Sequence, residues 1–131
     1  MIKSPYEKYR QSSIQTSTPE QLVIMLYDGA IRFIRIAVDG MDKRNYEITN
    51  INMSKAQTII SELMSTLDYT YAISKDLYSL YEYIHHLLIQ SNMKKDRVLA
   101  EEALGYIQEL KDTWLEAIKM EYSKSGEFTH G

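Results

Sequence analysis

The sequence predicts an all-α protein: an antiparallel up-down four-helix bundle preceded by a short N-terminal leader. Four stretches of about 20 residues carry apolar side chains at intervals of three and four, the period of an α-helix. Only 2 prolines and 5 glycines occur in the 131 residues, so few positions interrupt helices. No stretch has the alternation that is typical of a strand. We expect a leader at residues 1–17, a bundle at 18–122 and a flexible tail at 123–131.

The first helix is expected to begin at Thr18 and to end near Gly40. Thr18 suits the N-cap, and Pro19 suits the first helical position. Its polar residues lie along one narrow stripe, and nearly all the others are apolar, whereas an ordinary surface helix has a single apolar face. Either this helix lies at the centre of the fold, or part of its surface awaits another chain. Gly29 predicts a close approach of another backbone, because an interior glycine costs about 1 kcal/mol relative to alanine.

The other three helices are expected at about residues 44–68, 75–92 and 96–122. Ser74 and Asp96 are the predicted N-caps of the third and fourth helices. The residues at intervals of three and four predict the packed seam of a bundle. These are Met53, Ala56, Ile60, Leu63, Met64 and Leu67 in the second helix; Leu77, Leu80, Tyr81, Ile84, Leu87 and Leu88 in the third; and Ala100, Ala103, Ile107, Leu110, Trp114 and Ala117 in the fourth.

Up-down topology predicts that the first and third loops lie at the same end of the bundle. Five basic residues fall there: Lys43, Arg44, Lys94, Lys95 and Arg97. The favoured interpretation is solvated charge near helix ends, which interacts with the helix dipoles. A basic docking patch is the alternative.

Composition argues against several classes of function. The formal net charge is -3, whereas a nucleic-acid binder usually has a concentrated basic face. There are no cysteines for a disulfide, a thiolate nucleophile or a cysteine metal site. Apolar runs are broken by charge before the roughly 20 residues of a membrane span, and the N-terminus lacks a signal-peptide run. We expect a cytoplasmic protein that neither binds nucleic acid nor inserts into a membrane.

The histidines offer one candidate for chemistry. Glu82 and His85 form an E-x-x-H pair, and a di-iron bundle needs two such pairs with further carboxylates. The second pair, Glu127 and His130, falls in the predicted tail. No phosphate-binding loop or nucleophile motif occurs. We therefore expect no enzymatic activity, cofactor or metal, with a small bundle metalloenzyme as the remote alternative.

The first third of the chain carries three distinctive motifs: Tyr6-x-x-Tyr9, Ile14-x-Thr16-x-x-Pro19-Glu20-x-Leu22 and Met25-Leu26-Tyr27-Asp28-Gly29-Ala30-Ile31. Together they resemble the FliS family of flagellar secretion chaperones, with weaker matches in the later helices. The resemblance covers about residues 4–120. It departs from the family at Ser17, where alanine is common, and at residues 69–72, where glycines are common.

The resemblance implies a cytosolic four-helix chaperone for flagellin. Such a chaperone binds the disordered C-terminal region of newly made flagellin, blocks its premature polymerisation and helps to deliver it to the flagellar type III secretion apparatus. The implied binding residues are a plug in the leader, formed by Tyr6, Tyr9 and Ile14, and a covered surface that includes Leu22, Met25, Leu26, Tyr27 and Ile31.

The sequence leaves four points open. The sequence does not say which of these residues contact the client and which belong to the core. It leaves open whether the protein contacts the export gate, and whether the client-free protein self-associates weakly. A helical adaptor that binds a different amphipathic segment is the alternative function, because the same groove would serve it.

Overall fold

The computed structural model describes residues 19–130, with side chains up to residue 121. This part contains four helices and no strand: α1 (Pro19–Asp42), α2 (Tyr46–Ser65), α3 (Ile73–Lys94) and α4 (Arg97–His130). The predicted all-α fold is confirmed. The predicted leader and the predicted N-cap Thr18 lie outside the described residues.

The four helices form a closed ring around one core. Consecutive helices pack against each other, and α4 packs back against α1. An ion pair of 2.9 Å between Arg97 and Asp42 joins the start of α4 to the end of α1, so the first and third loops lie together as predicted. The buried core lies along the seam that the sequence predicts, with Ile60, Ile84 and Ile107 fully buried.

Of the two predicted helix caps, one is present and one is not. Asp96 caps α4, because its carboxylate accepts from the N–H of Val98 at 2.9 Å. The prediction that Ser74 caps α3 is wrong: α3 already begins at Ile73, and the cap residue Ala72 makes no side-chain bond. The Ser74 hydroxyl instead donates to the carbonyl oxygen of Asp68 at 2.5 Å.

The bounds of α2 and α4 differ most from the prediction. α2 begins at Tyr46 after the cap residue Asn45 and ends at Ser65, three residues before the expected end. Helical backbone in α4 continues to His130, past the expected end near Tyr122 and over most of the predicted tail. The flexibility of residues 123–131 stays a prediction.

The basic end of the bundle is rich in local contacts. Arg97 contacts both Asp42 and Glu101, and Lys43 pairs with Asp39 at 3.0 Å. The Lys95 ammonium group donates to Asn50 and Asn92, and it lies over the ring of Tyr46. Exposed pairs of this kind contribute little to stability, and they favour the interpretation as solvated charge at helix ends.

The close approach expected at Gly29 occurs instead at Gly40. A Cβ at Gly29 would lie 3.1 Å from Cδ1 of Ile59, which is a side-chain atom and not backbone, so that prediction is wrong. A Cβ at Gly40 would lie 2.7 Å from Oγ1 of Thr49 and 2.9 Å from the carbonyl oxygen of Asn45. The fully buried Thr49 hydroxyl donates to the carbonyl oxygen of Ala37 at 2.9 Å, which locks α2 against α1.

We predict that Gly40→Ala lowers the free energy of unfolding by about 1–3 kcal/mol, because the methyl group overpacks this contact. Gly105→Ala is the matched control within a helix, since a Cβ there meets nothing within 4 Å. It should raise the free energy of unfolding by about 0.5–1 kcal/mol. Urea unfolding of both variants measures the difference, and equal stability of the two would contradict the close approach.

Candidate binding groove

The bundle opens at the end where α1 and α3 begin. The predicted seam residues at this end are less buried than those in the middle of the bundle. Leu67, Leu77 and Trp114 are half-buried, and Ala117 is exposed. The result is a cleft of about 930 Å³, which we call the apolar groove. Its apolar lining comes from all four helices and the α2–α3 connection: Leu22, Val23, Met25, Leu26, Leu63, Leu67, Tyr71, Ile73, Leu77, Tyr81, Trp114, Ala117 and Ile118.

The first turns of α1 form one wall of the groove. Three of the residues that the resemblance implied, Leu22, Met25 and Leu26, line it and are half-buried. The indole N–H of Trp114 donates to the carbonyl oxygen of Glu20 at 3.2 Å. This bond ties the far part of α4 to the first turn of α1 and so helps to fix the width of the groove.

The α2–α3 connection forms an ordered rim. The Asp68 carboxylate accepts from the backbone N–H of Thr70 at 2.9 Å and from its hydroxyl at 2.7 Å, and these bonds hold the pKa of Asp68 below its ordinary value. The next residues turn back through bonds from the Tyr71 N–H to Asp68 and from the Ser74 N–H to Tyr71. This turn presents Tyr71 and Ile73 beside the groove, 66% and 60% exposed.

Tyr27 and Ile31, which the resemblance also implied, lie elsewhere. Tyr27 is 1% exposed, and its hydroxyl oxygen is 2.5 Å from that of Tyr81. Burial raises the pKa of both phenols above the ordinary value. Ile31 is almost fully buried and lines a second, more polar cleft of about 520 Å³ between α1 and α4. Partner contact for Tyr27 and Ile31 stays a prediction.

The groove and the second cleft are adjacent, because Asp28 and Arg32 line both. Asp28 forms an ion pair of 2.6 Å with Lys111 across α1 and α4. The other charged groups that line the groove are acidic: Glu20, Glu62, Asp68 and Glu121. The lining therefore combines an apolar floor with a mostly negative rim.

The part of the chain with described side chains, residues 19–121, has neither a metal-binding cluster nor a membrane-spanning helix. In this part, no group of three or more His, Cys, Asp and Glu side chains comes together in a way that could hold a metal ion. Glu82 is exposed and His85 is half-buried on α3. None of the described helices has the length and apolar character that crossing a membrane requires.

A family model described as "Flagellar protein FliS" matches residues 2–121 of the chain. The chain belongs to the FliS family. The "Flagellar secretion chaperone FliS" of Bacillus subtilis is 38% identical over 120 residues, which are 92% of this chain and 90% of the relative. The proteins of the same name from Escherichia coli and Salmonella typhimurium are each 29% identical and cover 82% and 86% of this chain, with equal shares of their own lengths. The resemblance in the motifs is confirmed, and FliS is a family of chaperones.

Sequence reasoning missed most of the groove in this FliS-family chain. Leu67, Leu77 and Trp114 pack against the core as the predicted seam requires, but their second position in the lining of the groove was not predicted. No role was predicted for Tyr71 or Ile73. The sequence did carry one signal for the rim formed by the α2–α3 connection: residues 69–72 lack the glycines that are common in the family at this place. The implied plug residues Tyr6, Tyr9 and Ile14 lie outside the described residues.

Proposed function

We propose that this protein is a cytosolic export chaperone that binds the disordered C-terminal region of flagellin. In this role it prevents premature polymerisation of flagellin and aids its delivery to the flagellar type III secretion apparatus, including the export gate. Membership of the FliS family supports the class of function. The observation that carries the proposal is the apolar groove, whose lining comes from all four helices at one end of the bundle.

The groove suits a disordered client on energetic grounds. A disordered segment loses conformational entropy when it binds, and coupled folding typically buries roughly 1,000–3,000 Å² to offset that loss. A groove of about 930 Å³ accommodates only part of such a segment. The adjacent cleft extends the contact surface along α1, because Asp28 and Arg32 are common to both. A client that follows this path would contact α1 and α4 over several turns.

The position of the leader supports a further part of the proposal. Residues 1–17 precede Pro19, which itself lines the groove. Tyr6, Tyr9 and Ile14 would compete with the client for the groove and would shield it when no client is present. Such a competitor lowers the apparent client affinity in proportion to the closed fraction.

We predict that Ile73→Asp weakens binding of the flagellin C-terminal segment by about tenfold or more, because the bound segment must desolvate a carboxylate in an apolar wall. Ile73 is 60% exposed in the first turn of α3, so its replacement should leave the bundle folded. The measurement is fluorescence anisotropy of the labelled segment.

Val98→Asp is the matched control for this experiment. Val98 is 65% exposed and also lies in the first turn of a helix, but at the opposite end of the bundle. The affinity of the Val98→Asp variant for the flagellin segment should stay within about twofold of wild type, since no groove contact changes. Equal weakening by both variants would contradict the proposed location of the site. Failure of the unsubstituted protein to bind would instead favour an adaptor for a different segment.

We predict that replacing Tyr6, Tyr9 and Ile14 together with serine increases self-association and binding of an apolar dye, because the groove loses its cover. Light scattering and dye fluorescence measure the two effects. Adding the Ile73→Asp substitution should reduce both, because it makes the same surface polar. A triple variant that stays monomeric with wild-type dye binding would contradict the plug.

A further inference from the structure

A hydrogen bond between a side chain of α1 and one of α3 joins two tyrosines beneath the apolar groove. These helices are opposite each other in the ring, since each packs mainly against α2 and α4. The hydroxyl groups of Tyr27 and Tyr81 meet at 2.5 Å. Tyr27 is 1% and Tyr81 3% exposed, so both phenols lie in the interior.

Only one of the two hydroxyl protons of this pair is used in the hydrogen bond between them. Each phenol carries one O–H donor, and a single bond between the two oxygens uses one of the two protons. No other side-chain or backbone group in the described part of the chain is hydrogen-bonded to either hydroxyl. One buried donor is therefore left over, and a buried donor without an acceptor is destabilising.

The positions of the two rings indicate which hydroxyl retains the spare proton. Tyr81 lines the apolar groove, whereas Tyr27 does not. If Tyr81 donated to Tyr27, the spare proton would be on Tyr27 in the closed core. If Tyr27 donates to Tyr81, the spare proton is on the residue whose side chain lines the groove, and a segment packed against that side chain can supply an acceptor.

We propose that Tyr81 is a hydrogen-bond donor at the floor of the groove and that it donates its phenolic proton to a backbone carbonyl of the bound segment. Tyr27 donates its own O–H to the Tyr81 oxygen within the closed core and does not itself contact the segment. This inference rests on the proposed function and adds a polar recognition point to a site that is otherwise lined mainly by apolar side chains.

A backbone carbonyl is the acceptor that such a site demands. A chain that enters an apolar groove loses water from its own peptide groups, and each buried carbonyl then needs a donor. If the segment binds as a helix, its last four carbonyl groups have no partner within the helix. A single donor on the floor would fix the register of the segment, while the apolar walls would supply most of the burial.

The test compares Tyr81→Phe with Tyr27→Phe in the full chain. Tyr81→Phe should weaken binding of the flagellin C-terminal segment by about three- to tenfold, the equivalent of one neutral hydrogen bond. Tyr27→Phe retains the Tyr81 donor and should bind within about twofold of wild type. Unchanged affinity of Tyr81→Phe, or an equal loss in both variants, would overturn the inference while the proposed function stood.

Thermal unfolding of the free protein gives a second readout. Tyr81→Phe leaves the Tyr27 donor in the core without an acceptor, so it should lower the Tm more than Tyr27→Phe does. The reverse order would overturn the donor assignment. If Tyr81→Phe fails to fold, the double Phe variant removes both buried hydroxyls and should fold while still binding weakly. Failure of the wild-type chain to bind would overturn the proposed function and this inference together.

Discussion

The architecture depends on one constraint: α1 carries more apolar surface than the other three helices can bury. From Tyr27 to Met41 the bundle closes around α1, and the inward residues Ala30, Ile34 and Ala37 are fully or nearly fully buried. In the first two turns the neighbouring helices no longer close the bundle, so residues 22–26 are only half-buried. The groove is the open continuation of the core, which explains why it is lined by the same kinds of residue as the core.

Several polar contacts keep this open end ordered. The Trp114 indole holds α4 against the start of α1, the Asp68 turn fixes the rim, and the Tyr27–Tyr81 pair links α1 to α3 beneath the floor. An ordered groove loses less entropy on binding than a collapsing one, so more of the burial energy appears as affinity. A disordered client needs that advantage because it must lose its own entropy on binding. The same apolar surface favours self-association when it is uncovered, and we propose that the leader provides that cover.

Periodicity predicted the four helices and the buried seam well, because a 3.6-residue repeat reports which side of a helix faces inward. It could not report how far along the bundle the helices stay in contact. Leu67, Leu77 and Trp114 therefore pack against the core as predicted but also line a groove that the period did not reveal. The predicted start of α3 was wrong because the Ser74 hydroxyl, which was expected to cap the helix, donates instead to the carbonyl oxygen of Asp68. The tight packing at Gly40 arises from Thr49 on another helix, and no local pattern predicts such a contact.

The most direct test of the central claim is calorimetric titration of this protein with the disordered C-terminal segment of its own organism's flagellin, repeated at several temperatures. Closure of the groove over an ordering segment predicts tight one-to-one binding with a large negative heat-capacity change, because apolar surface leaves water on both partners. Absence of binding at tens of micromolar to a protein that circular dichroism reports as folded would contradict the account. Binding with a heat-capacity change near zero would also contradict it, since it would locate the interaction on a polar surface and not in the groove.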